Sequence, residues 1–412
     1  MVLPASAPNQ AAVSTAASGH PTLPDIRQRA LESFGVWPCL WQLKVAEALL
    51  KGDKDVVCTA GTGMGKTLGF WLPLLFHPEG IQIVITPLNL LGKQNAASLA
   101  RAGIRAIAIN SETSTSSNFT AIETFKYRAI IVSPEQLMKP NGEFEKRLKN
   151  SLFASQVISV VINEAHCLTD WGDFCPEYKE LRRLHYILPD TIPIMIISAT
   201  LTKDMLTSAL QLLHIHRDRL ITICQSSDRP NLKIGVRKIK YALNSYADLA
   251  FLIPTGWKAG DPPLPKFLVF FNDIQDAINA AWYLHSRLPP ETRDLIKWFN
   301  ADMTTAYKEA ELTHLVSGET QGFATTESFG MGMDVSDIKL ILQWRATCKL
   351  ATLWQQFGRA VRNKELTGTD ILFAEKDFFD DEREAKDTRK KQRESTRKRK
   401  ASKKLMRPPA AK

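Results

Sequence analysis

A glycine-rich segment at residues 55 to 76 carries the clearest chemical signal in the chain. Its sequence, DVVCTAGTGMGKTLGFWLPLLF, reads as an apolar strand, a short turn and an apolar helix. Glycines in such a turn let backbone N–H groups approach phosphate oxygens, while Lys66 adds a positive charge and Thr67 a hydroxyl that can ligate Mg²⁺ at a helix N-terminus. A turn that binds no nucleotide would explain neither the Lys-Thr pair nor the strand-turn-helix context. The segment therefore predicts a nucleotide-phosphate site formed by Ala60, Gly61, Thr62, Gly63, Met64, Gly65, Lys66 and Thr67.

Short apolar runs rich in Val and Ile alternate along the chain with helix-length segments. Because these runs show no polar alternation, they predict buried parallel strands of an α/β fold. The first series is DVVCTA, IQIVIT, AIIVSP, VISVVINEAH, IPIMIISAT and RLITICQ, and the second is KFLVFFN, LIKWFN, QGFATT, KLILQW and DILFA. Two series in succession predict two lobes, with their boundary near Pro230 and a loop at 252–266. The expected division is a flexible N-terminal tail at 1–24, lobes at 25–232 and 233–378, and a charged tail at 379–412.

Composition is typical of a multi-domain protein without a membrane segment. The 412 residues are too many for one ordinary core, and no stretch approaches the roughly 18 uninterrupted apolar residues of a membrane helix. The N-terminal sequence lacks the basic and apolar regions of a secretory signal. The six cysteines form no CxxC pair, which argues against a zinc module or a disulfide framework and favours a reducing compartment.

The net charge of +10 is concentrated near the C-terminus. Between Arg389 and Arg407 the chain has eleven Lys/Arg and one acid, so this segment alone contributes 11 − 1 = +10. Because it has almost no apolar residues, the segment is predicted to be disordered, to bind phosphate backbones and to act as a nuclear-localisation signal. A solvated helix extension or a solubilising tail is the alternative.

Eight motifs in a fixed order carry a family resemblance. They are GKTLGFWLPLL, ITPLNLLGKQ, GIRAIAINS, IIVSPEQL, SAT, SDRPNL, FGMGMD and QQFGRAVR. Over residues 25 to 375 the chain resembles superfamily 2 helicases, and within them the RecQ family. The resemblance implies two tandem RecA-like lobes with ATP and Mg²⁺ in the cleft, and 3′-to-5′ movement along a single strand of DNA. An RNA helicase is disfavoured by RPNL and by an aromatic-rich segment.

The resemblance assigns several residues to the nucleotide. ESFGVWPCLWQ is similar to the family's adenine-reading segment, which makes Gln42 the amide that contacts the base; a buried glutamine that satisfies a turn is the alternative. Ala60 stands where the usual pattern GxxxxGK[ST] has glycine, a change compatible with a related loop. GMGMD places Gly330, Gly332 and Asp334 on a loop that faces the cleft.

QQFGRAVR supplies the arginines of the second lobe. Gln355, Arg359 and Arg362 are four and three residues apart, which predicts that they share one helical face. The resemblance implies that Arg362 is a finger that stabilises charge on the γ-phosphate, with Arg359 as its companion. A salt-bridged helix face is the alternative.

DWGDFCPEYKELRRL resembles the aromatic-rich loop by which RecQ enzymes link DNA contact to hydrolysis. Trp171, Phe174 and Tyr178 are candidates for stacking on unpaired bases, although a place in the core is an equal alternative for Tyr178. Ser133, in IIVSPEQL, is a further candidate contact to nucleic acid. The loop is one residue short, lacks a His and has Cys175 where Arg is usual, which puts the coupling of DNA to ATP in question.

VVINEAHCLTDWG, at residues 160 to 172, departs from the parent motif at one position. The parent motif has an aspartate that holds the Mg²⁺ shell, followed by a glutamate that orients and deprotonates the attacking water. Here Glu164 is retained and Asn163 replaces the aspartate. An uncharged amide is a poorer partner for Mg²⁺, so Thr67 and Asn163 are expected to form a weakened metal site and hydrolysis is expected to be slow.

These assignments leave two functions open. The first is an impaired ATP-dependent DNA helicase in which Lys66, Glu164, Arg359 and Arg362 act in catalysis on single-stranded or tailed duplex DNA. The second is a nucleotide-gated adaptor that binds nucleic acid without unwinding it. RecQ enzymes commonly continue with a zinc module and a winged helix, whereas this chain has the charged tail; unwinding is expected to depend on that tail or on a partner. A nuclear monomer without zinc is expected.

Overall fold

The chain folds into two compact units, which a computed structural model describes over residues 19–87, 89–170, 177–329, 335–363 and 365–405. The first unit comprises Met1–Thr59, Gly65–Ser198 and Thr202–Gln225. The second comprises Ala60–Met64, Ala199–Leu201 and Ser226–Lys412. Each unit contains one parallel sheet with helices, which confirms the predicted α/β fold with two sheets.

The first unit is built on a seven-stranded sheet. Its strands are β1 Asp55–Thr59, β2 Ile81–Ile85, β3 Ala106–Ile109, β4 Ala129–Val132, β5 Val157–Asn163, β6 Ile194–Ser198 and β7 Leu220–Cys224. They lie in the order β3-β4-β2-β5-β6-β1-β7, and all neighbouring strands are parallel. The six apolar runs of the first series all form strands. Strand β3 was not among the predicted runs, because this four-residue edge strand alternates Ala with Ile and alanine favours strands weakly.

Twelve helices belong to the described part of the first unit. They are α1 Leu23–Phe34, α2 Leu40–Lys51, α3 Lys66–Trp71, α4 Asn89–Arg101, α5 Ser116–Glu123, α6 Pro134–Leu137, α7 Glu143–Leu148, α8 Ser151–Gln156, α9 Cys167–Asp170, α10 Glu177–Glu180, α11 Leu184–Ile187 and α12 Lys203–Leu212. Helix α1 begins at a capping box in which the Thr22 and Asp25 side chains accept each other's backbone N–H groups. The expected N-terminal tail therefore ends earlier than residue 24.

The second unit has a six-stranded parallel sheet. Its strands are β8 Leu232–Lys238, β9 Phe267–Phe270, β10 Ile296–Phe299, β11 Gly322–Thr325, β12 Leu340–Trp344 and β13 Gly368–Ala374, in the order β10-β11-β9-β12-β13-β8. Helices α13 Ile274–His285, α14 Thr305–Ser317, α15 Leu350–Phe357 and α16 Asp380–Leu405 accompany it. An aromatic core that includes Phe267, Phe271, Trp344 and Phe373 holds this sheet to its helices. The five runs of the second series form β9 to β13, and 252–266 lacks strands and α-helices as predicted.

The boundary between the units lies earlier than the expected 232/233. Leu232 already pairs with Gly368 as the first residue of β8, and the second unit resumes at Ser226. Among the described residues, none of the helices combines the length and the apolar character that a membrane crossing requires.

The prediction of disorder in the charged tail is wrong for Asp380–Leu405, which forms α16. Asp380, Asp381 and Glu382 fill its first turn, where negative charge is favourable, and most of its remaining residues are good helix formers. Lys238 of β8 anchors this end through ion pairs with Asp381 at 2.7 Å and Glu382 at 3.3 Å. Burial of apolar residues is therefore not what orders this segment, and the solvated helix extension was the better alternative.

Asp370 is an acidic residue buried inside the second sheet. It lies in β13 between Ile341 of β12 and Ile234 of β8, and it is 0 % exposed. Within the described residues neither carboxylate oxygen has a hydrogen-bond partner. Burial raises the pKa of Asp370 to about 8, although the nearby Arg229 guanidinium opposes this increase. Asp370 is therefore mostly neutral in the folded state at pH 7.

The buried carboxyl predicts a pH dependence of stability. Because the folded-state pKa is raised from the ordinary 3.8 to about 8, the contribution of Asp370 is fully present below pH 3.8 and is lost as the pH rises to about 8. The Asp370→Asn variant should lose this dependence and gain stability relative to the parent, by at most about 1.4 kcal/mol per pH unit. Urea unfolding of both proteins at pH 5, 6.5 and 8 measures the difference; a constant difference would contradict it.

Candidate nucleotide site

The predicted phosphate loop connects the end of β1 to the start of α3. Gly63 and Gly65 adopt positive φ angles of 78° and 72°, a region that glycine enters with little strain. Gly65 is the N-cap of α3, so Lys66 and Thr67 lie in the first helical turn, where backbone N–H groups and the helix dipole favour anions. Ala60 is fully buried, so the methyl group that replaces the usual glycine is accommodated. The local structure fits a phosphate site.

Gln42 is held against this loop at both ends of its amide. Its Nε2 donates to the Gly65 carbonyl oxygen at 2.8 Å, and its Oε1 accepts from the Cys39 N–H at 2.7 Å. Helices α2 and α3 approach closely, because a Cβ on Gly69 would lie 3.4 Å from the Val45 side chain. The structure thus places Gln42 beside the phosphate loop. Its bond to the Gly65 carbonyl is the contact expected if Gln42 is a buried glutamine that satisfies a turn. Its contact with adenine stays a prediction.

The altered strand end lies at the same edge of the first sheet. Asn163 is the last residue of β5, is 3 % exposed and pairs with Ile197 of β6. Glu164 follows with φ of 55°, a left-handed conformation that is uncommon for a residue with a side chain and often marks functional segments. The turn leaves the Glu164 carboxylate partly exposed. Asn163 and Glu164 therefore occupy different environments although they are adjacent.

His166 connects this strand end to the next strand. Its Nδ1 lies 3.1 Å from Ser198 Oγ and 3.4 Å from Glu164 Oε2. Ser198 ends β6 and opens the SAT motif. The buried imidazole thus links the Glu164 carboxylate to β6 within one unit. Sequence reasoning assigned His166 no role, although its retention after Glu164 was the available signal.

The arginines of the second unit do not share a helical face, so that prediction is wrong. Helix α15 ends at Phe357, and Arg359 and Arg362 lie in the turn and extended chain that follow. The Val361 N–H donates to Ile338 at 2.9 Å instead of to residue 357, and Val361 has φ of 30°. The prediction from residue spacing assumed that the helix continues to residue 362. The hydrogen bond from Val361 to Ile338 excludes such a helix.

The residues after α15 are contacted by the motif SDRPNL, in which sequence analysis gave Arg229 and Asn231 no individual role. Arg229 donates from its guanidinium to the backbone carbonyls of Ala360 and Val361, and Asn231 donates to Val361. An Arg and an Asn flanking a proline directly before a strand were the only signal in the sequence. Such long-range partners have no periodicity that would reveal them.

The structure gives a different outcome for each of the predicted nucleic-acid contacts. Tyr178 is 1 % exposed and lies in the core of the first unit, which is the second of its two equal alternatives and argues against stacking on bases. Ser133 lies directly before α6 and is half-buried, and its contact with nucleic acid stays a prediction. Five other candidates lie outside the described residues: the predicted nucleic-acid contacts Trp171 and Phe174, and the predicted cleft residues Gly330, Gly332 and Asp334.

The residues present fit a nucleotide better than an independently bound metal. In the part of the chain that the structure describes, no group of three His, Cys, Asp or Glu side chains could hold a metal ion. The oxygens that sequence analysis assigned to Mg²⁺ are the Thr67 hydroxyl and the Asn163 amide, both neutral. Mg²⁺ in nucleotide sites commonly combines few protein ligands with substrate phosphates. Thr67 and Asn163 would therefore hold the ion together with the nucleotide.

Comparison with known families identifies the class of this fold. Residues 40–208 match the DEAD/DEAH box helicase model, and residues 263–364 match the helicase conserved C-terminal domain model. Among solved structures, the fold is similar to the helicase MrfA bound to DNA, with a TM-score of 0.66 and 15 % identity over 85 % of this chain and 48 % of that one. The DEAD-box helicase Mss116 bound to ssRNA and UDP-BeF gives a TM-score of 0.68 and 17 % identity over 87 % and 76 %. The two units are therefore tandem RecA-like lobes, the core of a superfamily 2 helicase.

Similarity to curated proteins narrows the class of helicase. The ATP-dependent DNA helicase RecQ of Bacillus subtilis (strain 168) is 28 % identical over 338 residues, which cover 79 % of this chain and 52 % of the relative. The ATP-dependent DNA helicase Q1 of Rattus norvegicus is 27 % identical over 336 residues, which cover 78 % and 50 %. The chain thus spans about half the length of the curated relatives it matches. Together with the two domain matches, these relatives support a RecQ-like superfamily 2 helicase core.

Substitution of Gln42 separates the two interpretations of its amide. If Gln42 reads adenine, Gln42→Ala should weaken ATP binding about tenfold and leave GTP binding unchanged, since one hydrogen bond contributes about 1 to 1.5 kcal/mol. Competition of ATP and GTP against a fluorescent ATP analogue measures both affinities. Gln28→Ala is the control, because this exposed glutamine on α1 pairs only locally with Glu32. Equal losses for ATP and GTP would mean that Gln42 serves the Gly65 turn alone.

Proposed function

We propose that the chain is an ATP-dependent DNA helicase of the RecQ type, that it moves 3′-to-5′ along a single strand, and that Asn163 makes its hydrolysis step slow. The observation that carries this proposal is the phosphate loop, with Gly63 and Gly65 in the left-handed region and Lys66 at the start of α3. Similarity to RecQ helicases supports the reaction class.

The residues that follow β1 and β5 divide into binding and catalytic roles. Lys66 and the loop N–H groups bind the phosphates, which concentrates positive potential where negative charge is transferred. Glu164 orients the attacking water and accepts its proton, and its partly exposed carboxylate is accessible for this role. His166 contacts the same carboxylate at 3.4 Å and restricts its orientation. Mg²⁺, when bound with the nucleotide, would neutralise phosphate charge.

Asn163 weakens catalysis without removing the nucleotide site. The amide occupies the buried strand end where the parent motif has a carboxylate, so it supplies an acceptor oxygen but no negative charge. Loss of one preorganised electrostatic contact typically costs about 3 to 4 kcal/mol of transition-state stabilisation, or about 10² to 10³ in rate. Because the phosphate loop is intact, nucleotide binding should persist.

The proposed substrate is single-stranded or tailed duplex DNA. Both curated relatives are named as DNA helicases, whereas the similar solved structures bind DNA in one case and ssRNA in the other. In our proposal, Arg359 and Arg362 of the second lobe act on the γ-phosphate. A nuclear location rests on the basic residues of α16 alone, because relatives come from both bacteria and eukaryotes.

A second candidate function is favoured by one observation, the neutral Asn163. A protein that binds ATP but hydrolyses it very slowly would act as a nucleotide-gated DNA-binding adaptor. Retention of Glu164, Arg359 and Arg362 favours the enzyme, because an adaptor has no need of these residues. The rate of hydrolysis therefore decides between the two functions.

Restoring the carboxylate tests the proposed impairment. Asn163→Asp should raise the DNA-stimulated rate of ATP hydrolysis by about 10² to 10³, because a charged ligand for Mg²⁺ is regained. Phosphate release with and without single-stranded DNA measures the rate, and Lys66→Ala is the control that should abolish it. Equal rates for the parent chain and Asn163→Asp would show that the metal site tolerates an amide.

Strand displacement tests the motor and its polarity. A duplex with a 3′ single-stranded tail should be unwound in the presence of ATP, and the same duplex with a 5′ tail should not. Unwinding by the parent chain that Lys66→Ala abolishes would support a working motor, whereas unwinding only by Asn163→Asp would support the adaptor. Preference for the 5′ tail would contradict the proposed direction.

A further inference from the structure

The segment that carries Arg359 and Arg362 is held by side chains from a distant part of the same unit. We call residues 358–363 the arginine loop. Arg229 Nη2 donates to the carbonyl oxygens of Ala360 at 2.9 Å and Val361 at 3.1 Å. Its Nη1 lies 3.5 Å from the carbonyl oxygen of Gly358. One guanidinium therefore contacts three carbonyls of the loop.

Asn231 completes this arrangement. Its Nδ2 donates to Val361 O at 3.2 Å and to Leu366 O at 3.1 Å, while its Oδ1 accepts from Arg229 Nε at 3.2 Å. Its own backbone oxygen accepts from the Gly368 N–H at 3.0 Å, which ties it to the start of β13. Arg229 and Asn231 thus orient each other, and we call the pair the Arg229–Asn231 clamp.

The loop depends on the clamp because its backbone is not in a helix. Ala360 and Val361 are buried, so their carbonyl oxygens require partners other than water. The φ of 30° at Val361 is unfavourable for a β-branched residue and persists only where its surroundings enforce it. Gly368 makes room for it, since a Cβ there would lie 2.8 Å from Val361 Cγ2. Hydrogen bonds from a charged donor are strong enough to hold such a conformation.

We infer that Arg229 and Asn231 are positioning residues for ATP hydrolysis, which hold the arginine loop in the conformation that presents Arg359 and Arg362. This inference rests on the proposed function, because it takes those two arginines to act on the phosphate. The clamp itself binds backbone carbonyls and acts through the loop. A displacement of about 1 Å in a catalytic group can lower a rate about 10²-fold, so the clamp should affect turnover strongly.

The discriminating substitution is Arg229→Lys. Lysine keeps the positive charge near buried Asp370, but its single ammonium group cannot reproduce the planar fork that reaches several carbonyls. Asn231→Ala removes the second donor and leaves the charge unchanged. The matched control is Arg237→Lys, because Arg237 on β8 lies over the Phe251 ring, 4.7 Å from its centroid, outside the clamp.

The experiment measures kcat and KM for ATP and the thermal unfolding midpoint, all in the Asn163→Asp form. Arg229→Lys and Asn231→Ala should each lower kcat at least about tenfold, with KM close to that of the parent. The midpoint should fall by only a few degrees, since a buried carbonyl group that loses its donor costs about 1 to 3 kcal/mol. Arg237→Lys should change none of these values. Combined with Arg362→Ala, Arg229→Lys should cause little further loss, because residues that act as a unit are not additive.

Failure of the clamp and failure of the proposed function give different results. If Arg362→Ala lowers kcat but Arg229→Lys and Asn231→Ala do not, the inference is overturned and the proposed function stands. If the losses from Arg229→Lys and Arg362→Ala add, the clamp has no positioning role through that arginine. If Arg359→Ala and Arg362→Ala both leave kcat unchanged, the arginines have no catalytic role and the proposed function fails at that point.

Discussion

The parallel direction of every strand in the first sheet is the constraint on which the candidate site depends. Because all carboxyl ends lie at one edge, Thr59 at the end of β1, Ser198 at the end of β6 and Asn163 at the end of β5 lie at that edge. Strand β6 lies between β5 and β1. His166, which follows β5, contacts Ser198 at the end of β6. Residues more than a hundred positions apart are thereby assembled by strand order alone. An antiparallel strand at β5 would remove its polar end from this edge.

Two non-glycine residues with positive φ lie in the segments that carry the proposed chemistry. Glu164 has φ of 55° beside Asn163, and Val361 has φ of 30° between Arg359 and Arg362. Each has side-chain contacts beside it: His166, which contacts the Glu164 carboxylate and Ser198 in the first unit, and the Arg229–Asn231 clamp in the second. Such strain persists only where neighbouring groups determine the backbone, so these supports belong to the site as much as the residues that would touch the nucleotide do.

Sequence alone predicted what depends on local pattern. Continuous apolar runs gave eleven strands, although β7 is buried only at Ile223, and the Gly-Lys-Thr spacing gave the glycine-rich turn between β1 and α3, because both signals reside in neighbouring residues. The conformation of the residues after α15 was not predictable in this way, since their carbonyl groups are bound by Arg229, 131 positions before Ala360. Helix α16 was missed for a different reason: its order comes from charged helix formers and an anchor on Lys238, whereas the prediction weighed apolar content alone. Burial of Tyr178 likewise follows from packing that no periodicity shows.

In the proposed function binding and turnover are separable, because the phosphate loop and the strand end at Asn163 are assigned different interactions. Titration calorimetry with a non-hydrolysable ATP analogue and Mg²⁺ tests this separation most directly. The account predicts saturable binding at one site in the parent chain and in Asn163→Asp, with affinity at least about tenfold lower in Lys66→Ala, since one charged contact is lost. Absence of saturable binding in the parent chain, or equal affinity in Lys66→Ala, would contradict it.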